Sequence, residues 1–335
     1  MYFLSELICK RLLILLFSSL IFSMTAHAVG FREISTEGVS LSAWYPSETP
    51  PVNQRLGPFD VEIAKDAPIL TGKHEIVLFS HGYNGFYRNH YLTIQALVNA
   101  GYVVVAPQHE ADYLLGGSDT AAALNYRYFE LSKALNAVIK SSEFSNYVNA
   151  NKVHGLGYSL GSVSIMLASG ATFSSQRYKD YCDQNQSLDP SFCEDPGWIY
   201  RLIQSFRHDV VLTPISDSFK EQPLITGKVV LVAPVFQGIE TTSKLSMSDL
   251  DVIAFDSDSI AIPQYHALPL YIAFSSNMPS EYHVVKGHHY AFIAPFPKWL
   301  TEEEDISVAK DPEGFDRSVF LRDLNAKIVE IMTSK

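Results

Sequence analysis

At 335 residues, with 47% hydrophobic and 18% charged residues, the chain has the apolar content to bury one large α/β domain and is not a disordered polymer. Its formal net charge of −11 repels nucleic-acid phosphates, and no polybasic cluster marks a membrane-binding face, so nucleic acid is excluded as a partner. The first 28 residues, MYFLSELICKRLLILLFSSLIFSMTAHA, set Lys10 and Arg11 before an apolar run from Leu12 to Met24 and end on Ala26-His27-Ala28. That order reads as a secretory signal peptide cleaved after Ala28, because the run is short for a retained bilayer span and a small-x-small site follows it. The mature domain would then cover 29–335. Loss of Glu6, Lys10 and Arg11, together +1, takes its charge from −11 to −12.

Along the mature chain, short β-branched or aromatic runs alternate with longer helical patterns. FREISTEGVSLSAWYP reads as an opening hairpin, EIVLFSHG as a buried strand, and YLTIQALVNAGY as a helix closed by Gly101. The strand YVVVAPQ, a helix around Ala122 to Ile139, and the strand KVHGLGYS follow. An irregular insertion spans about 171–227, after which KVVLVAP, LDVIAFD and EYHVVKG read as strands. A last helix follows Asp311-Pro312 and carries Phe320, Leu324 and Ile328 on one face. Continuous apolar strands separated by helices predict a mainly parallel central sheet covered on both faces, with functional loops at the carboxyl ends of the strands.

Cys9 leaves with the signal segment, so Cys182 and Cys193 remain as one close pair in a chain bound for an oxidising compartment. A disulfide is the expected reading, contributing on the order of 2 to 3 kcal/mol by closing a short loop. The competing reading, two free thiols at a metal or redox site, lacks a CxxC spacing or a histidine beside it.

The stretch VHGLGYSLGS places Gly157-Tyr158-Ser159-Leu160-Gly161 where a buried strand gives way to the small-residue helix LGSVSIMLASG. In such a nucleophile elbow the serine takes a strained backbone position that lifts its hydroxyl off the sheet, and a Cβ at either glycine would strike the neighbouring strand or helix. A serine hydroxyl needs a histidine to take its proton and an acid to orient that histidine. Two later strand ends supply them: Asp256 and Asp258 after LDVIAF, and His288 and His289 after EYHVVKG. Glu240, after the preceding strand, is a further acid candidate. The Leu160 amide, just after the serine at a helix start, is a candidate donor to an oxyanion.

At these positions the chain resembles the α/β-hydrolase superfamily, and within it the bacterial dienelactone-hydrolase-like branch related to the platelet-activating-factor acetylhydrolases. The resemblance runs through VGFREI, LSAWYP, IVLFSHGYNG, NAGYVVVAPQHEAD, GLGYSLGS, VVLVAP, FDSDSIAIP and GHHYAFIAPFP, covers most of 29–297, and is weakest over the insertion and the last helix. It implies an α/β-hydrolase fold and a Ser-His-Asp triad. Similar proteins carry H-x-x-F-x-A-P, matched here by His289, Phe292, Ala294 and Pro295, which assigns the base to His289. The family usually writes D-x-x-x-P, whereas Asp258 stands five residues before Pro263; Asp258 is favoured, with Asp256 within reach of a shifted register. The resemblance also points to the Tyr83 amide in SHGYNG as the second oxyanion donor. Tyr158 stands where relatives often have histidine, and Ser162 where a second glycine is common.

Other residues have plainer readings. His81 reads as a support for its turn, His109-Glu110 as pocket lining or loop scaffold, and His154 as a core histidine. No HExxH, EF-hand loop, GxGxxG or Walker sequence occurs, so no metal or nucleotide cofactor is expected. In the insertion, Trp198, Leu202 and Phe206 share a helical face that reads either as a lid over an acyl pocket or as a packed excursion. The expected function is hydrolysis of small carboxylic esters, or of platelet-activating-factor-like lipids with transient membrane-surface contact, by a periplasmic or secreted enzyme. The alternatives are a peptidase or amidase on the same residues and a catalytically silent binding protein.

Overall fold

The computed structural model describes residues 27–110, 112, 120–193, 222–303 and 307–334. Among them the apolar runs form ten strands of one sheet: β1 Ala28–Thr36, β2 Val39–Ser47, β3 Val52–Leu56, β4 Phe59–Lys65, β5 His74–Ser80, β6 Val103–Pro107, β7 Val148–Tyr158, β8 Lys228–Val232, β9 Asp249–Phe255 and β10 Ser280–Val285. Their order across the sheet is β3-β4-β1-β2-β6-β5-β7-β8-β9-β10. From β6 through β5, β7, β8 and β9 to β10 every neighbouring pair is parallel. β2 runs antiparallel to both β1 and β6, as the expected opening hairpin requires.

Parallel neighbours need crossovers of a dozen or more residues, which helices supply. The helices are α1 Tyr91–Asn99, α2 Thr120–Ile139, α3 Leu160–Ala168, α4 Ser175–Asn185, α5 Pro190–Cys193, α6 Ala267–Phe274, α7 Lys298–Glu303 and α8 Arg317–Thr333. Ile94 and Leu97 of α1 pack with Leu324 and Ile328 of α8 against Val104, Val230 and Ile253 on one face of the sheet. On the other face, Leu131 of α2, Ile165 of α3 and Leu270 of α6 pack against Val105, Val229 and Val252. Adjacent residues of one strand thus point into opposite cores, which is why β6, residues 229–232 of β8 and residues 252–255 of β9 read as continuous apolar runs.

The chain is therefore a mixed α/β protein on a mostly parallel sheet, and the six consecutive parallel strands bring the loops after β5, β6, β7, β9 and β10 to one edge. Some elements go beyond the sequence reading. The hairpin β3-β4 is one, although Phe59, Val61 and Ile63 alternate strictly with exposed neighbours. The helices α4, α5 and α6 are others; α4 has no buried residue, so it shows no apolar stripe to read. No helix among the described residues is long and apolar enough to cross a membrane. The expected signal segment, apart from its last residues, lies outside the described residues, as do Trp198, Leu202 and Phe206 of the insertion.

Candidate active site

Ser159 is the single residue between the end of β7 and the start of α3, at φ 52° and ψ −122°. A non-glycine residue there carries strain on the order of 1–3 kcal/mol, so the surroundings must hold it. They do so through its amide, which donates to the Val232 carbonyl of β8 at 3.0 Å, and through its carbonyl, which accepts from Ser162 N at 3.0 Å. The flanking glycines have steric reasons. A Cβ on Gly157 would stand 2.7 Å from the Gly161 carbonyl oxygen and from Ser162 Cα, and one on Gly161 would run into the backbone carbonyls of Ser80 and His81 at the end of β5.

His289 lies in a 3-10 turn after β10, and Asp258 in the loop after β9. His289 Nε2 is 3.0 Å from Ser159 Oγ, and His289 Nδ1 is 2.7 Å from Asp258 Oδ2. The other Asp258 oxygen accepts the amides of Ile260 and Ala261, both at 2.8 Å, so the carboxylate is fixed from its far side. An ionised carboxylate only accepts hydrogen bonds, so Nδ1 carries the imidazole hydrogen and Nε2 is left to accept the serine proton. The structure thus brings Ser159, His289 and Asp258 together. Asp256 does not reach the imidazole; its Oδ1 accepts the Gly287 amide at 3.1 Å and the Ser257 hydroxyl at 3.0 Å. His288 turns away to Asp311 at 2.9 Å, and Glu240 sits by the insertion, its amide bonded to the Thr172 carbonyl.

Tyr158 has a part that sequence reading missed. Its hydroxyl donates to the His289 carbonyl at 2.8 Å, and its ring centroid is 5.3 Å from the imidazole. The chain therefore ties the elbow to the turn that carries the histidine, through a buried phenol that no spacing rule would reveal.

The loop after β5 forms the opposite wall. Gly82 lies against the serine, since a Cβ there would be 3.3 Å from Ser159 Cβ. The exposed Tyr83, Asn84 and Phe86 of this loop line a cleft of roughly 390 Å³ together with Ser159 and His289, and Ile260, Ile293, Phe296 and Val308 give it apolar walls. Leu160 opens α3, so its N–H has no carbonyl within the helix to bond.

The other candidate histidines are structural. His81 Nε2 accepts the His109 amide at 3.2 Å, so Nδ1 bears the hydrogen and donates to the Gly82 carbonyl at 2.8 Å. His109 is buried, 2.8 Å from Ser80 Oγ and 2.6 Å from Glu130, as loop scaffold. His154 donates to Glu75 and accepts the Lys228 amide. Burial, aided by Arg127, pushes His81 down to about 4, and burial pushes His90 down to about 3. Between pH 6.5 and those values the unfolded chain binds protons that the folded chain refuses, so stability falls as pH falls, by about 1.4 kcal/mol per pH unit for each histidine. Urea midpoints at pH 7, 6, 5 and 4 should decline steadily, with a shallower slope in His90→Phe; equal slopes in the two proteins would contradict this assignment.

Cys182 and Cys193 form a disulfide, with Cα atoms 5.2 Å apart, joining α4 to α5. The tied segment docks beside the acid loop: Ser191 Oγ donates to the Ser259 carbonyl at 3.3 Å, and the Phe192 ring stands 4.6 Å from that of His266. His266 accepts the Phe236 amide through Nδ1 and donates through Nε2 to buried Asp189 at 2.9 Å. Among the described residues, one further grouping has metal-ligand types, Asp251 on β9 with Glu281 and His283 on β10. Its His283–Asp251 contact of 2.9 Å is accounted for by an ordinary hydrogen bond.

No family model matches this sequence, and no curated protein matches it either.

Proposed function

We propose that the chain is a secreted serine hydrolase that cleaves carboxylic esters through an acyl-enzyme. The observation that carries this reading is the continuous hydrogen-bonded series Asp258–His289–Ser159, at 2.7 and 3.0 Å, with its serine on a strained turn facing an apolar cleft. His289 Nε2 takes the proton of Ser159 Oγ as the oxygen attacks the ester carbonyl carbon, and Asp258 stabilises the imidazolium that results. The negative charge on the former carbonyl oxygen falls to the amides of Leu160 and Tyr83. Collapse of the tetrahedral adduct expels the alcohol, which leaves with the proton held by His289. Water, deprotonated by the same nitrogen, then releases the carboxylic acid and restores the serine.

The reading of the first 28 residues and the disulfide both support a periplasmic or secreted location. The apolar walls favour an ester with an acyl chain, of the short-chain or platelet-activating-factor-like kind. The test is hydrolysis of p-nitrophenyl esters from acetate to palmitate by the mature chain beside Ser159→Ala. The proposal expects turnover on at least the short esters and a loss of about 10⁴-fold or more in the mutant. Turnover of a matched anilide but no ester would make the chain an amidase, and turnover of neither by folded protein would make it a binding protein.

A further inference from the structure

α2 crosses behind the loop that follows β5 and buries Arg127 completely. A buried guanidinium contributes no net stability that an apolar side chain of similar volume could not match, so its presence calls for a directional reason. Its donors are fully used. Nε and Nη2 grip Asp112 in a two-pronged pair, both at 2.7 Å; Nη1 donates to the His81 carbonyl at 3.0 Å and to Ser164 Oγ at 3.2 Å; Nη2 also donates to the Gly82 carbonyl at 3.2 Å. Asp112, held in turn, accepts the Asn84 amide at 2.8 Å. The Gly82 carbonyl receives two more donors, Gly85 N at 3.1 Å and His81 Nδ1 at 2.8 Å.

The Gly82 carbonyl and the Tyr83 N–H belong to one planar peptide unit, and in a trans peptide they point in opposite directions. Fixing the oxygen toward Arg127 therefore aims the N–H away from Arg127, in a peptide unit whose two residues line the same cleft as Ser159 and His289. We propose that Arg127, oriented by Asp112, is a positioning residue that aims the Tyr83 amide at the oxyanion of the reaction. This inference rests on the hydrolase reading. Arg127 makes no hydrogen bond to Ser159; it acts through a peptide plane. Lysine cannot replace it, since one ammonium cannot pair with the carboxylate and hold two carbonyls in fixed directions.

The test compares wild type with Arg127→Lys and with the milder Asp112→Asn, which keeps the side-chain volume if the first fails to fold. The expected result is a fall in kcat of about 100-fold in Arg127→Lys, as for loss of one oxyanion donor, with KM changed by less than about threefold. Affinity for an aryl trifluoromethyl ketone, whose serine adduct carries an oxyanion, should fall in step with kcat/KM. Crystal structures of the two variants should show the Gly82–Tyr83 peptide turned out of its wild-type orientation. A variant with lower thermal stability but unchanged kcat, or an unmoved peptide, overturns the proposal. Should the wild type react with neither ester nor ketone, the hydrolase reading fails by itself, and the crystal structures still decide whether Arg127 aims this peptide.

Discussion

Asp258→Asn is expected to lower kcat for ester hydrolysis by about 10⁴-fold while the protein keeps its fold, because the substitution inverts one hydrogen bond and alters little else. The substituted side chain would still offer an oxygen to the amides of Ile260 and Ala261, which now hold Oδ1 at 2.8 Å. Its amide group would then face His289 Nδ1 and donate to it, where the carboxylate accepts at 2.7 Å. The imidazole hydrogen would move to Nε2, and that nitrogen, 3.0 Å from Ser159 Oγ, would no longer be able to take the serine proton. Asp256→Asn is the matched comparison. Asp256 serves the Gly287 amide through an oxygen that asparagine retains, so kcat should stay within about twofold. Steady-state kinetics on one short ester with both variants decides between the two acids; equal losses would mean that the loop, not the carboxylate, carries the effect.

Gly161→Ala is expected to have the largest effect on stability, a loss of more than about 3 kcal/mol. The added methyl would lie on the Ser80 carbonyl, 2.6 Å from its carbon and 2.7 Å from the His81 carbonyl oxygen. These are backbone atoms of β5 and of the loop that follows, so relief requires moving α3 off the sheet. Ser162, one residue on, provides the contrast. Its hydroxyl is buried and has no hydrogen-bond partner among the described residues, so Ser162→Ala should be neutral or slightly stabilising. Chemical denaturation of the two variants would measure both changes; comparable stability for Gly161→Ala and wild type would contradict the packing described for the elbow.

The two glycines around Ser159 were legible in the sequence because each answers a local steric demand of a strand-turn-helix corner. Strand positions were legible for a related reason: a strand buried on both faces is mostly apolar, so β6, residues 229–232 of β8 and residues 252–255 of β9 stand out as apolar runs. The choice between Asp256 and Asp258 was not local. Two residues apart after the same strand, the acids differ in which one finds a pair of amides and an imidazole, and that depends on how the chain turns at Ser259 to Ala261. The part of Tyr158 was equally hidden, since its partner is a carbonyl 131 residues away. Arg127 and Asp112 are nearer in sequence, 15 residues apart, yet neither lies in a motif, and only the burial of the guanidinium against two carbonyls gives it meaning. The β3-β4 hairpin went unread for a different reason: Phe59, Val61 and Ile63 of β4 alternate with Asp60 and Glu62, but β3, VNQRL, has no buried position and so no pattern that would pair the two strands.

The proposed mechanism requires Ser159 to be an activated nucleophile. The most direct measurement is intact-mass and peptide-mass analysis after exposure of the mature protein to a fluorophosphonate. A single phosphonyl adduct is expected on Ser159, absent in Ser159→Ala and formed far more slowly in Asp258→Asn. Folded protein that acquires no adduct, or that acquires it on another residue, would contradict it.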